Sequence, residues 1–165
     1  MSNITDWNVV SKDEIRNLGD VPFYPEESDV EYRISPSEKR KLYNVYENYS
    51  TLIKKMSDYC QTKCKEARSP YNPLLYAATE CDFSESYMRK MIKQEKRVTR
   101  KALGQFCVGL GLSIKESEEL FALTGKNLVF GYTYFDSITM CAIRDRDNIE
   151  DYLNELEEYK DRIIE

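Results

Sequence analysis

Residues 77–96 read AATECDFSESYMRKMIKQEK. Two helices that meet across a tight turn need small residues where they cross, a turn residue that tolerates positive φ, and apolar residues that fill the wedge between them. Ala77 and Ala78 supply the close contact, and Asp82 is one of the few non-glycine residue types that enter the left-handed region readily. Phe83, Met88 and Met91 then face inward with Cys81, and Tyr87 and Ile92 widen the buried face. Glu85, Ser86, Arg89, Lys90, Lys93 and Gln94 remain on the outer face of a second helix over 84–96, which Ser84 caps. This outer face is basic.

The positive charge is local. Residues 1–35 hold three basic and eight acidic side chains, residues 142–165 hold four and nine, and the 106 residues between hold seventeen and twelve, within a chain of net charge −5. A basic middle between acidic ends is the asymmetry of a polyanion-binding centre, although lysines that solvate exposed helix faces produce a similar pattern.

Helix punctuation extends the reading outward. Capping boxes at Ser11-Lys12-Asp13-Glu14, Ser35-Pro36-Ser37-Glu38, Ser113-Ile114-Lys115-Glu116 and Asp147-Asn148-Ile149-Glu150 each predict a helix start. The first helix is short and stops at Gly19; the acidic, proline-interrupted stretch up to Ser35 is predicted to be extended. From Pro36 to about Glu66, Leu42, Tyr46, Tyr49, Ile53, Met56 and Cys60 recur at threes and fours, with Val45, Leu52 and Tyr59 widening the stripe, which predicts a long amphipathic helix. Asn72 and Pro73 open the next helix. Segments ending at Gly111 and Gly125 are helices stopped by a glycine C′ residue. Residues 132–145 read as a helix, with Tyr, Thr and Ile leaving a strand open. The fold class is therefore all-α, in three parts: an acidic segment 1–35 with one short helix, a long helix plus helical domain over 36–125, and a C-terminal helical extension over 126–165.

The order of these motifs resembles a family. AATECDFSESYMRKMIKQEK followed by LGQFCVGLGLSIKESEELFALTG, within residues 52–125, is similar to the five-helix λ-repressor/Cro-type helix-turn-helix domain of the xenobiotic-response-element family. Ala78 takes the alanine position of the first motif helix, Asp82 the glycine of the turn, Phe83 the turn hydrophobe, and Met88 and Met91 the inward positions of the recognition helix. Residues 103–156 also resemble an uncharacterised extension that follows such domains in Gram-positive bacterial proteins. The resemblance implies a bacterial or phage transcriptional regulator whose helix 84–96 enters the major groove of double-stranded DNA. Ser86, Arg89 and Lys90 would lie nearest the bases, Lys93, Lys96, Arg97, Arg100 and Lys101 would neutralise phosphates, and Gln94 accompanies them.

Other classes are weakened by composition. The chain has no histidine, no Gly-rich phosphate loop and no spaced carboxylate motif, so catalysis is not expected. Cys60 and Cys64 stand one helical turn apart, but zinc wants four N or S ligands, and neither a metal nor a cofactor is expected. Five cysteines in apolar helical patterns fit reduced thiols, no apolar run approaches a membrane span, and the N-terminus lacks a signal-peptide pattern; a cytoplasmic protein is expected. The tail residues Ile149, Tyr152, Leu153, Leu156, Tyr159 and Ile163 form a stripe that suits docking on the core or self-association in a homodimer. The alternative function is a protein-interaction module, for instance a mobile-element inhibitor of a host nucleic-acid-binding enzyme. It is motivated by the acidic ends and by Glu85, which stands where the family commonly has a base-reading glutamine.

Overall fold

The computed structural model describes residues 34–163. The expected cap at Ser11, the helix ending at Gly19 and almost all of the acidic segment lie outside the described residues. Within them every regular element is helical: α1 (Pro36–Glu66), α2 (Pro73–Cys81), α3 (Glu85–Ile92), α4 (Arg100–Gly109), α5 (Ile114–Leu123), α6 (Tyr134–Asp145), α7 (Ile149–Glu158), then a 3-10 turn over Lys160–Arg162. The fold is all-α, and residues 134–145 take the helical alternative. The chain divides into two compact units at Tyr49 and Ser50, inside α1.

Of the first unit the described residues are 34–49, which open α1. The Ser35 amide donates to Glu38 Oε1 at 3.0 Å and the Glu38 amide donates to Ser35 Oγ at 3.2 Å, a reciprocal capping box. The bond from the Ser35 amide holds the Glu38 carboxyl below its usual range. Val45 and Tyr46, expected on the apolar stripe, are exposed; the stripe is buried only at Leu52, Ile53, Met56 and Cys60, and Cys64 is buried one turn beyond it. Periodicity marks a face of a helix; burial requires another element lying against it.

The second unit is organised around α4, which packs against α2, α5, α6 and α7. Its Ala102, Leu103, Gly104, Phe106, Cys107 and Val108 are buried, so this helix is apolar nearly all round, as a central helix must be. Gly109 lets α4 approach α2: a Cβ there would lie 2.6 Å from the Glu80 carbonyl oxygen and 2.7 Å from Cys81 Cα. Gly111, at φ +64, stops α4 while the Leu112 amide bonds back to the Cys107 carbonyl at 3.0 Å.

Helices α6 and α7 pack on α4 and on each other, so the expected C-terminal extension belongs to the same core as α2–α5. The cap of α7 falls one residue later than the capping box predicts: Asn148 Oδ1 accepts from the Asp151 amide at 2.8 Å. The tail stripe is largely occupied by the chain itself. Tyr152 and Leu156 are buried, Tyr159 stacks on Tyr134 with centroids 5.6 Å apart, and Ile149, Leu153 and Ile163 are half-buried. Tyr152 and Leu156 are thus core residues and not dimer contacts. Spacing at threes and fours describes either use and cannot separate them.

Candidate nucleic-acid interface

The connection between α2 and α3 follows from four residues. Asp82 sits at φ 62, ψ 41, which turns the chain at the end of α2. The Phe83 amide then reaches back to the Ala78 carbonyl at 2.8 Å and the Asp82 amide to the Thr79 carbonyl at 3.4 Å, satisfying two carbonyls that the helix end would otherwise orphan. Ser84, in extended backbone, accepts from the Tyr87 amide at 3.0 Å and starts α3. With this entry angle, Met88 and Met91 point into the core and are fully buried.

The outer face of α3 follows from that burial. Ser86 and Lys90 are exposed one turn apart on α3, and exposed Lys93 caps its C-terminus. Phe83 is only half-buried; its ring meets Tyr87 edge-on at 5.1 Å, and Lys96 Nζ lies 5.7 Å over the Tyr87 ring. Sequence spacing assigns Tyr87 only to a widened buried face, whereas here it is a half-open aromatic platform beside a lysine.

The helix expected over 84–96 ends at Ile92. Gln94 enters the left-handed region at φ 61, and the amides of Glu95 and Lys96 both bond to the Lys90 carbonyl, at 2.8 and 3.2 Å. Val98, at the end of this connection, is buried. Gln94, Lys96 and Arg97 are therefore exposed on the α3–α4 connection and not on the helix. Lys101, in the first turn of α4, is exposed; with Asp82, Phe83 and Tyr87 it lines a groove of about 430 Å³, which brings it to the side of the α2–α3 turn.

Two arginines depart from the expected arrangement. Arg89 Nη2 donates to Glu85 Oε2 at 2.7 Å, across one turn of α3, with the two side chains 42% and 33% exposed. Arg100 is turned inward: it donates to Asp136 Oδ1 at 2.9 Å and to the carbonyls of Lys126 and Asn127 at 2.8 and 3.0 Å. Its guanidinium also lies 5.0 Å from the Phe121 ring centroid and 5.8 Å from that of Phe135. A guanidinium held in this way is not available to a phosphate, so Arg100 leaves the expected set. No local signal announces this, because its partner stands 36 residues downstream.

Among the described residues no group of three or more His, Cys, Asp or Glu side chains could hold a metal ion, and no helix is long and apolar enough to cross a membrane. All five cysteines are free thiols. Comparison with protein-family models, with curated proteins and with solved structures found no match to the chain.

Proposed function

We propose that the chain is a sequence-specific DNA-binding protein, a small transcriptional regulator that inserts α3 into the major groove. One observation carries this reading: Met88 and Met91 are fully buried while Ser86, Lys90 and Lys93 face water. Ser86, Arg89 and Lys90 meet base edges, and Lys93, Lys96, Arg97 and Lys101 neutralise phosphates. Glu85 and Arg89 act together. Their single bond leaves the carboxylate with one oxygen, and the guanidinium with further N–H groups, for other partners. Glutamate accepts from cytosine N4 and arginine donates to guanine O6 and N7, so the pair is complementary to a C·G base pair.

The test is a titration of labelled random duplex with the full chain at two salt concentrations. With about four phosphates neutralised, affinity should fall roughly 100-fold between about 50 and about 200 mM salt. Lys90→Glu and Lys93→Glu should abolish retention while leaving the circular dichroism of the folded chain intact. Unchanged affinity in both variants refutes the proposal.

A second reading, a protein-interaction module that occupies a cationic nucleic-acid channel, is favoured by the exposed acidic side chains of α7, Glu150, Asp151 and Glu158. Absence of duplex retention at either salt, with one stoichiometric protein captured from bacterial lysate, would reverse the order of the two.

A further inference from the structure

Helices α4, α6 and α7 and the 3-10 turn enclose a hollow of about 390 Å³, within the size range of small-molecule sites. Its walls are apolar: Phe135 and Leu156 are buried core residues, and Leu153 and Ile163 are half-buried. Its rim is charged. Lys101 comes from the first turn of α4, Glu157 from the last turn of α7, and Lys160 from the 3-10 turn. That turn is tied to α6, because Arg162 Nη1 donates to the Tyr134 hydroxyl at 2.9 Å and Tyr159 stacks on the Tyr134 ring. The rim is thereby positioned in advance of any ligand.

Charge at the rim does not cancel. Lys160 Nζ donates to Glu157 Oε2 at 2.8 Å, pairing the one carboxylate in the lining. That bond first, and the Lys101 charge to a smaller degree, hold the Glu157 carboxyl below its usual range. Two ammonium groups thus face one carboxylate, and the Lys101 ammonium has no ion pair or hydrogen bond among the described residues.

We propose that this hollow binds a medium-chain carboxylate. The hydrocarbon body lies on Phe135, Leu153, Leu156 and Ile163, and the carboxylate meets Lys101 with Lys160 beside it. Charge and polarity together select this occupant. A cation meets surplus positive charge, an inorganic anion leaves the apolar walls wet, and a neutral hydrocarbon gains nothing from Lys101. One surplus charge matches a singly charged head. A consequence follows that rests on the DNA-binding reading. Lys101 and Leu153 also line the groove beside the α2–α3 turn, so a carboxylate on Lys101 withdraws one phosphate contact and opposes duplex binding.

Titration calorimetry of the full chain with decanoate tests the site without DNA. One molecule should bind per chain. Lys101→Gln should weaken binding about fivefold or more and Glu157→Gln should tighten it, while decanamide, which lacks the charge, should bind all three proteins alike. Both substituted residues are exposed, so the thermal transition should stay at the wild-type value. No saturable heat up to about 5 mM decanoate overturns the proposal, as does binding indifferent to Lys101→Gln. In duplex titrations, saturating decanoate should lower affinity and reduce the salt slope by about 0.9, the share of one phosphate. An unchanged slope overturns the opposition between carboxylate and duplex, whereas a chain that takes up decanoate and retains no duplex refutes the DNA reading and upholds the site.

Discussion

Arg100 and Asp136 form an ion pair at 2.9 Å with their side chains only 12% and 2% exposed, joining the first turn of α4 to the first turn of α6. Asp136 Oδ2 accepts at the same time from the Val129 amide, so one carboxylate connects two helices and the loop between α5 and α6. Removing one partner leaves a buried charge without its counterion. Arg100→Met and Asp136→Asn should each destabilise by about 3–5 kcal/mol, and the double variant should lose clearly less than the sum. Urea unfolding with a constant m value checks this; additive losses would mean that the pair is not coupled.

A second prediction concerns Gly104. A Cβ built there would stand 2.5 Å from the Tyr152 hydroxyl, which itself shares a hydrogen bond of 2.7 Å with Thr139 Oγ1. Gly104→Ala should therefore destabilise, although alanine is the better helix former by about 1 kcal/mol. Tyr152→Phe should cost about 1–3 kcal/mol by leaving the Thr139 hydroxyl without this partner. Combining the two should recover part of the Gly104→Ala loss, because the atom that clashes is gone. Thermal unfolding of the four proteins measures that coupling.

The buried thiols set an alkaline limit. Burial pushes Cys60 and Cys107 from an ordinary 9.0 up to about 12, and raises Cys81 as well. In the window between those values the unfolded chain releases protons that the folded chain keeps. The stabilisation is complete below about pH 9 and is lost as the pH climbs toward about 12, at about 1.4 kcal/mol per pH unit for each thiol. Cys60→Ala and Cys107→Ala should each flatten that limb of the stability profile in chemical denaturation. An unchanged slope would contradict the assignment.

If α3 reads DNA, Glu85 contributes selectivity. Glu85→Gln removes the carboxylate that favours a cytosine amino group and frees Arg89 from its ion pair. Enrichment from a randomised duplex library should lose its preference for C·G at one position of the site by roughly 5- to 150-fold, which is about 1–3 kcal/mol. Retention of total duplex affinity should hold or rise, since a negative charge has gone. A variant that keeps the wild-type preference would assign Glu85 to structure alone.

Much of the fold was legible because its punctuation is local. Asp82, Asn72, Ser84 and the box at Ser113 act through backbone groups two to five residues away, and each stands at the turn or cap that its chemistry implies. The inward set of α3 was legible in the same way from the spacing of Met88 and Met91. Other features were not. Val45 and Tyr46 carry the same periodicity as Met56 and yet face water, and α3 stops at Ile92, where Gln94 turns left-handed and the next two amides bond back to the Lys90 carbonyl.

By itself the sequence determined an all-α fold class, most of the helix boundaries among the described residues and the sidedness of α3, since propensity, capping and periodicity operate over one or two helical turns. Tertiary structure alone decided that Arg100 turns inward to Asp136, that Tyr152 and Leu156 fill the core beside α4, and that Phe130 and Tyr132 are left in water. Those outcomes depend on which distant surfaces meet, and a pattern of threes and fours is the same whether the neighbouring helix belongs to the chain, to a second copy or to no one.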